Sequence, residues 1–252
     1  MPKRVSRNRT QALVERLGQD VVSGTYAGAK SFPIEADLCK QLGASRSILR
    51  EAVKMLTAKG LLGARPRHGT WVQPEEDWNL LDPDVLRWLL DRKFSLTLLT
   101  EFTEVRLAIE PTAAQIAAYI ATPATLAPMR QAIERMRAAR AGKDDPLDSD
   151  IAFHVAVLRA TGNRFFMQLE ELIDTALRIS IQLTNQAKGV AQADVAAHER
   201  VLDAIAARKA DLARELMLEL LSEVMDLIKA AKSSPGVLQV SERKRPAIKG
   251  RR

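Results

Sequence analysis

Apolar residues recur at helical spacing in three short segments near the start of the chain. A first helix is expected from Thr10 to about Ser23, and a second from Pro33 to Leu42. Ser45 suits the N-cap of a third helix, which Gly60 ends. That helix carries an apolar stripe of Ile48, Leu49, Ala52, Val53 and Leu56. The spacing therefore predicts three helices, each burying one apolar face.

Two short apolar segments joined by a basic tip follow the third helix. They lie in the run LLGARPRHGTWV, whose tip extends from Arg65 to Gly69, and glycine suits a tip that needs positive φ. A β-hairpin is therefore expected. Helices followed by a basic hairpin, all within residues 1–73, form the layout of a winged helix-turn-helix, in which the third helix enters the major groove of DNA.

The composition changes abruptly at residue 74, where the acidic run PEEDWNLLDPD begins. Residues 74–94 are predicted to form a linker and a linker helix, the helix beginning at Asp82-Pro83. Trp78 and Leu80 are the large apolar residues of this segment. Both are expected to dock on a neighbouring surface.

Helix caps, with almost no β-type alternation, mark the rest of the chain. Further helix starts are expected at Ser95, Thr122, Asp145 and Asn163, with later helices near 192–208 and 211–231. Pro111 is expected to kink the helix that begins at Ser95. Residues 95–231 are thus predicted to form an all-α helical bundle, and the charged residues 232–252 a disordered basic tail. The predicted fold class is mainly α, with an N-terminal winged helix-turn-helix followed by this bundle.

The charge is divided unevenly along the chain. Residues 1–72 carry 13 Lys and Arg against 5 Asp and Glu, residues 73–228 carry 17 against 25, and residues 229–252 carry 8 against 1. A basic N-terminal region with folded periodicity favours nucleic acid as a partner. No apolar run approaches the roughly 18 residues that cross a bilayer, and the first residues lack the apolar stretch of a signal peptide. A cytoplasmic protein without a membrane partner is expected.

The start of the third helix and the hairpin tip hold the candidate DNA contacts. These are Ser45, Arg46, Ser47 and Arg50 on the helix and Arg65, Arg67, His68 and Gly69 on the hairpin. Arginine is able to bond O6 and N7 of guanine together, whereas hydroxyls and helix N-terminal amides suit phosphates. Ordinary surface charge is the alternative interpretation, above all for Lys54 and Arg65.

A second group of candidate residues lies in the predicted bundle. Asp150 and His154 are four residues apart on a largely apolar helix, so both project from one face, which is expected to be interior. A buried carboxylate and a buried imidazole need partners. With His198 they form a set of oxygen and nitrogen ligands that suits Zn²⁺ or a similar divalent ion. A metal-free polar pocket, or a satisfied Asp–His pair, is the alternative.

Two sets of motifs resemble a known family. Residues 21–72, with Pro-Ile-Glu, Ser-Arg-x-x-x-Arg-Glu and a Gly-Thr-Trp-Val wing, resemble the DNA-binding domain of the GntR superfamily. The later motifs RLAIEP, DIAFH, TGN and HERVLDAI resemble the helical effector domain of its FadR subgroup. The resemblance implies a regulator that binds operator DNA and a small-molecule effector. A homodimer is expected because a single winged helix buries limited DNA surface and two copies reading a palindrome multiply the specificity. The resemblance also places Ala36 where a relative has a basic residue, which puts a DNA contact from there in doubt.

The resemblance carries further implications for the site. Many members hold a metal with one Asp and three His, but Leu220, 22 residues after His198, occupies the third His position here. A metal with added water or effector ligands therefore stays open beside a metal-free pocket. Arg106, with Glu110 in the family's Arg-x-x-x-Glu pattern, is implied as the clamp for an effector carboxylate, the alternative being an intrahelical Arg106–Glu110 pair. Arg178, and with it Gln182 and Asn185, are further candidates to face the pocket.

The main hypothesis is a ligand-responsive DNA-binding transcriptional regulator. It is expected to act as a repressor of a catabolic operon for a sugar acid or related carboxylate, and to leave its operator when that effector binds. The competing hypothesis is a metal-dependent hydrolase that uses Asp150, His154 and His198 to activate water. That alternative lacks an evident general base and leaves the winged helix unexplained. A third hypothesis, a nonspecific architectural nucleic-acid binder, explains the charge but not the buried polar residues. No catalytic residue is assigned, and an enzyme is not expected.

Overall fold

The structure, a computed structural model, describes residues 3–26, 32–65, 69–92, 95–178 and 194–233. Contacts divide them into two compact units. The first consists of the residues up to Arg92, which we call the winged-helix region, together with residues 169–176. The second, the helical bundle, consists of residues 95–168 and those from Leu177 onward. The domain boundaries drawn from the sequence stay a prediction, and the tail beyond residue 233 lies outside the described residues.

The winged-helix region contains four α-helices, a two-stranded sheet and a short 3-10 turn within its described residues. The elements are α1 (Lys3–Val22), α2 (Glu35–Leu42), α3 (Arg46–Ala58), β1 (Leu62–Arg65), β2 (Gly69–Val72), the 3-10 turn Glu75–Asp77 and α4 (Pro83–Arg92). The strands pair antiparallel, with Leu62 opposite Val72 and Arg65 opposite Gly69. The core between the helices is formed by Leu13, Leu17, Leu38, Leu49, Leu56 and Leu61, all buried. The predicted winged helix-turn-helix layout is thereby confirmed.

The cap of α3 is confirmed, whereas the starts of α1 and α2 were wrong. Ser45 accepts a hydrogen bond from the backbone N–H of Ile48 and is the N-cap of α3. The first helix begins at Lys3 rather than at Thr10, because no glycine or proline interrupts the basic residues before Thr10 and arginine is a good helix former. The second begins at Glu35, since Ile34 keeps an extended backbone with ψ of 155°.

The linker helix packs into the winged-helix region. Lys59, directly after α3, donates from Nζ to Asp82 and Asp84 at 2.8 and 2.9 Å. Trp88 fills a notch that only glycine permits, because a Cβ on Gly18 would lie 2.3 Å from its ring. These contacts tie α4 both to the end of α3 and to α1.

The two apolar residues of the linker behave differently. Trp78 is buried and donates from Nε1 to the carbonyl of Gln73 at 3.0 Å, which confirms its predicted docking. Leu80 is 40% exposed, so its predicted docking was wrong. The turn before Trp78 passes so close to Gly60 that a Cβ there would lie 2.7 Å from the carbonyl oxygen of Asp77. This close approach leaves Trp78 on the inside and Leu80 on the outside.

The remaining described elements are all helical. They are α5 (Leu96–Tyr119), α6 (Pro123–Arg140), α7 (Pro146–Ala160), α8 (Arg164–Gln168), α9 (residues 170–178), α10 (Val195–Ala206) and α11 (Ala210–Ser233). The predicted caps Ser95, Thr122 and Asp145 each accept a backbone N–H of the following first turn. The mainly α fold class is therefore confirmed.

Alanines let the longest helices of the bundle approach closely. Ala113, Ala114, Ala117 and Ala118 of α5 are fully buried, and α5 packs along α11. Helix α7 packs against α6 and α5, and α10 against α11, α6 and α5. Helix α5 also continues as a helix through Pro111, and its predicted kink stays a prediction. Side chains from α5, α7 and α10 thus face a shared interior. Among the helices described, none is long and apolar enough to cross a membrane.

Candidate functional site

The N-terminal turn of α3 presents the predicted DNA contacts to solvent. Ser45, Arg46, Ser47 and Arg50 are all exposed. The hydroxyls of Ser45 and Ser47 lie 3.1 Å apart, so Ser47 joins the cap that fixes this turn. Two arginines and two hydroxyls thus occupy the end of a helix whose opposite face, with Leu49, is buried.

Arg50 is held by a neighbouring helix, unlike the other cations of α3. Its Nε donates to Oε2 of Glu35, at the start of α2, at 2.9 Å. Lys54 is 3.7 Å from Glu51 of its own helix. The side chain of Arg50 is 70% exposed and keeps both Nη groups available for other acceptors.

The hairpin supplies a second basic surface. The guanidinium of Arg65 lies over the ring of Trp71, 5.8 Å from its centroid, an arrangement that holds a cation by the ring's quadrupole. Gly69 has φ of 81°, as predicted for the end of the tip. Arg67 and His68 lie outside the described residues.

A chain of buried charged and polar groups crosses the bundle. Arg106 donates from Nε to Oε1 of Glu110 at 2.6 Å, and Nδ1 of His154 bonds Oε2 of the same carboxylate at 2.6 Å. On its far side, Nε2 of His154 lies 3.3 Å from Oδ1 of Asp150, and Nε2 of His198 lies 3.2 Å from that oxygen. The five residues come from α5, α7 and α10, and each is at most 3% exposed. The structure therefore brings together four of the predicted effector residues, joined through Glu110.

Burial and charge act in opposite directions on these groups. Burial raises the pKa of Glu110, but Arg106 and His154 outweigh it and lower that pKa to about 2. Burial likewise raises the pKa of Asp150, and the imidazoles of His198 and His154 outweigh it, leaving the pKa far below its ordinary range. Burial lowers the pKa of His154, but Glu110 and Asp150 outweigh it and raise the pKa to about 9. Both carboxylates are therefore held ionised at neutral pH.

Two buried atoms at the end of this chain are without a hydrogen bond. When His198 is neutral, its Nδ1–H donates to the backbone carbonyl of Asp194 at 2.7 Å, and Nε2 carries a lone pair. That lone pair faces Oδ1 of Asp150, also an acceptor, and neither atom has a hydrogen-bond partner in the described part of the chain. Two facing acceptors repel each other unless a cation lies between them. Ligand atoms of Asp150, His154 and His198 lie within 4.8 Å of one another.

The supporting groups around this cluster are those typical of metal ligands. A ligating histidine usually donates its other ring N–H to a carboxylate or a carbonyl. Glu110 accepts such a bond from Nδ1 of His154, and the carbonyl of Asp194 accepts one from Nδ1 of His198. The ring of Phe153 packs edge-on against His198, with centroids 5.0 Å apart, and fixes its orientation. The donor set thus fits a divalent ion.

Two other predicted pocket positions lie apart from this chain of contacts. Arg178 donates to Asp148 at 2.7 Å and is about half exposed, so the structure places it at the surface of the bundle. Leu220 is half-buried on α11 and offers no ligand atom. Gln182 and Asn185 lie outside the described residues.

Sequence reasoning treated Glu110 only as a partner for Arg106. In the structure it bridges Arg106 and His154, which are 48 residues apart in the sequence. The Arg-x-x-x-Glu spacing indicated the contact between Arg106 and Glu110, but it did not indicate the contact between Glu110 and His154. Glu35 was likewise predicted only as part of the Pro-Ile-Glu motif.

Comparison with known proteins gives matches for both parts of the chain. Residues 9–72 match the family described as bacterial regulatory proteins, gntR family, and residues 101–223 match the FCD domain. The galactonate operon transcriptional repressor of Escherichia coli K12 is 32% identical over 217 residues, which cover 85% of this chain and 94% of that repressor. The chain belongs to the GntR family. The family predicted from the motifs is therefore confirmed, and so is the similarity to the galactonate repressor that WNLLDPDVLRWLLD and EVRLAIEP had indicated.

Further similarities agree with this assignment to the GntR family. The putative L-lactate dehydrogenase operon regulatory protein of Escherichia coli K12 is 31% identical over 242 residues, covering 91% of this chain and 88% of that protein. The solved structure of Lar, described as controlling expression of the Listeria monocytogenes agr system, matches with a TM-score of 0.53 and 18% identity, over 87% of this chain and 96% of that chain. At that identity the likeness shows the fold alone. This GntR-family protein is thus a DNA-binding transcriptional regulator with a C-terminal FCD domain, and its relatives are named as regulators rather than hydrolases.

Proposed function

We propose that this regulator is a homodimeric repressor that leaves its operator when a small carboxylate, such as a sugar acid, binds inside the bundle. The observation that carries the proposal is the buried chain from Arg106 to His198, which ends in two acceptor atoms that have no hydrogen-bond partner among the described residues. Burying ionised groups is costly unless they serve a ligand or one another. A regulator that needed only a stable bundle would be served equally well by apolar residues at these positions.

A divalent ion such as Zn²⁺ is the proposed occupant between Asp150, His154 and His198. When bound, it would supply a Lewis-acidic centre that attracts anionic oxygen. Glu110 and the carbonyl of Asp194 hold the two imidazoles so that each Nε2 is directed at the cluster. Because Leu220 offers no ligand, the remaining coordination positions are left to water or effector oxygens.

Arg106 is the proposed second anchor for the effector carboxylate. Its Nε is used by Glu110, while its two Nη groups donate no hydrogen bond to any described residue. A guanidinium with free Nη groups presents two parallel donors that match a carboxylate. Two relatives are named as a galactonate operon repressor and a putative regulatory protein of an L-lactate dehydrogenase operon, and these names support a hydroxy acid as the effector class.

The DNA-binding part of the proposal assigns α3 as the recognition helix. Arg46 and Arg50 would contact bases, Ser45 and Ser47 phosphates, and the hairpin with Arg65, Arg67, His68 and Gly69 a groove or phosphate. A single winged helix buries limited DNA surface, so two copies reading a two-fold symmetric operator supply the specificity. A monomer in sedimentation that binds an isolated half-site as tightly as a full site would contradict the dimer.

Thermal unfolding with candidate effectors tests the effector site. Galactonate, gluconate and lactate are compared with galactose, which has no carboxylate, in protein supplied with Zn²⁺ and in protein treated with a chelator. We expect at least one acid to raise Tm in the metal-loaded protein, galactose to leave it unchanged, and Arg106→Lys to weaken the response. If the acid raises Tm as much in chelator-treated protein and in Asp150→Asn as in the metal-loaded parent, the metal part of the proposal is wrong.

A further inference from the structure

The pair formed by Glu35 and Arg50 joins the two helices of the helix-turn-helix at the surface assigned to DNA. Glu35 lies in the first turn of α2, and its carboxylate accepts from Nε of Arg50 at 2.9 Å. Among the cations described on α3, Arg50 alone has a charged partner from another helix. Arg46, one turn earlier, has no such partner.

The choice of nitrogen matters for what Arg50 is able to bind. With Nε directed at Glu35, the opposite edge of the guanidinium, with its two Nη groups, points away from the pair. Those groups form the planar fork that bonds O6 and N7 of guanine together. The glutamate therefore orients the fork without occupying it.

A carboxylate at this place also has a cost. Facing DNA, Glu35 opposes the attraction between the basic surface and the phosphates, which supplies most of the sequence-independent affinity. Its charge favours the N-terminus of α2 electrostatically, but Asp37 in the same turn offers that benefit away from Arg50. Orientation of Arg50 is the role that Glu35 alone fills.

We propose that Glu35 is a positioning residue for base recognition, which fixes the guanidinium of Arg50 and so raises sequence selectivity while lowering nonspecific affinity. The proposal rests on the assignment of α3 as the recognition helix. Removing the charge of Glu35 should therefore lower sequence selectivity and raise nonspecific affinity at the same time. A merely structural link between α2 and α3 does not produce these opposite changes. A structural link, once weakened, lowers Tm and weakens binding to every DNA sequence alike.

Glu35→Gln tests the proposal, because glutamine keeps the shape of the side chain and removes its charge. Binding is measured by fluorescence anisotropy of the full chain on two duplexes, one selected from random DNA by the unmodified protein and one with its sequence shuffled. We expect about twofold tighter binding to the shuffled duplex and about a tenfold fall in the ratio of the two affinities. Tm is measured in parallel and is expected to stay unchanged.

Asp37→Asn is the matched control, since it removes one exposed negative charge from the same turn without touching Arg50. It should tighten binding to both duplexes and leave their ratio unchanged. In the Arg50→Ala background, Glu35→Gln should no longer reduce the ratio, as expected of two residues acting through one contact.

The outcomes separate this proposal from the assignment on which it rests. If Arg50→Ala lowers the ratio but Glu35→Gln changes both affinities equally or lowers Tm alone, the positioning role is overturned and the recognition helix stands. If Arg50→Ala leaves the ratio unchanged, Arg50 makes no base contact and this proposal is overturned. The assignment of α3 is wrong as well only if Arg46→Ala also leaves the ratio unchanged.

Discussion

Arg50 in the winged-helix region and Arg106 in the bundle each donate from Nε to a glutamate, yet in opposite environments. The side chain of Arg50 is 70% exposed, and that of Arg106 is 2% exposed. The distances, 2.9 and 2.6 Å, are similar. The same pair of residue types therefore serves two purposes, and burial decides which.

Solvent explains the difference. An exposed ion pair contributes about 0–1 kcal/mol, because water and salt screen it and the side chains lose freedom. Such a pair is easily rearranged when a phosphate or a base arrives. A buried pair gains little in net stability over apolar residues, but removing one partner costs about 3–5 kcal/mol, since the other charge remains in a medium of low polarity. The bundle thus holds its charges rigidly, whereas the DNA-facing surface keeps its charges adaptable.

Among the changes proposed for these two ion pairs, removal of Glu110 is expected to lower the free energy of unfolding most. Glu110→Ala leaves the buried guanidinium of Arg106 and Nδ1 of His154 without their shared carboxylate, so the free energy of unfolding should fall by about 3–5 kcal/mol. Urea unfolding is followed by circular dichroism, whose signal comes mostly from the bundle because the bundle holds most of the described helical residues. Glu35→Ala, which breaks the exposed pair, should cost less than about 1 kcal/mol. Equal losses for the two variants would mean that burial does not separate the pairs.

The three tryptophans, Trp71, Trp78 and Trp88, all lie in the winged-helix region, so their fluorescence reports that region within the intact chain. In Glu110→Ala the circular dichroism transition should move while the fluorescence transition keeps its midpoint. A fluorescence transition that moves equally would show that the damage is not confined to the bundle.

The effect of metal on the bundle comes next in size. At a Zn²⁺ concentration of about 100 times Kd, a site that exists only in the folded chain stabilises it by about 2.7 kcal/mol. We expect Zn²⁺ to raise Tm, a chelator to reverse the rise, and His198→Ala to remove most of it. Arg178→Ala, a change at the surface of the same unit, serves as the control and should respond as the parent does. A Tm rise retained in His198→Ala would contradict the proposed ligand set.

Local features of the fold were predictable from the sequence because they depend on neighbouring residues. Ser45 caps α3 through a residue three positions away, and Gly69 takes a positive φ that other residues adopt at a cost. Asp150 and His154 share a face because they are one helical turn apart. Each of these features needs only a few consecutive residues to be recognised.

Features that depend on packing were not predictable in the same way. His198 meets Asp150 only because α10 and α7 both pack against α5 and α6, and Glu110 meets His154 across 44 residues. Leu80 and Trp78 are both large and apolar in the sequence, but only Trp78 is buried, where the turn before it passes close to Gly60. The convergence of the buried chain was suggested by the family resemblance and by the cost of burying charge, not by the spacing of its members.

Loss of the arginines on α3 should affect DNA binding but not stability. Arg46→Ala and Arg50→Ala each remove one proposed base contact, which is worth about 1–3 kcal/mol of discrimination between sequences. Because both side chains are exposed, the free energy of unfolding should change by no more than about 0.5 kcal/mol. Competition gel shifts measure the preference, with Lys54→Ala as a control that weakens all sequences evenly. Unchanged preference in both arginine variants would show that α3 is not the recognition helix.

The smallest expected effect is the response of the winged-helix region to acid. The hydrogen bonds from Arg87 and Trp88 outweigh burial and hold the pKa of Glu15 below its ordinary value of 4.5. A carboxyl group whose pKa is lower in the folded state stabilises the fold at pH values above its unfolded pKa, and that stability is lost as the pH falls further. The same holds for Asp84, whose burial is outweighed by Lys59 and Arg87.

The tryptophan fluorescence transition in urea should therefore be independent of pH between about 7 and 5 and should weaken below the ordinary pKa of Glu15. Because Glu15 is about one-third exposed, solvent screens its pair with Arg87 and the loss should stay below about 1 kcal/mol. In Glu15→Gln, which keeps the acceptor oxygen near Trp88 but has no charge to titrate, the decline should be shallower. An equally steep decline in Glu15→Gln would show that other carboxylates cause the loss of stability in acid. The contact between Glu15 and Arg87 would then contribute little to holding α4 against α1.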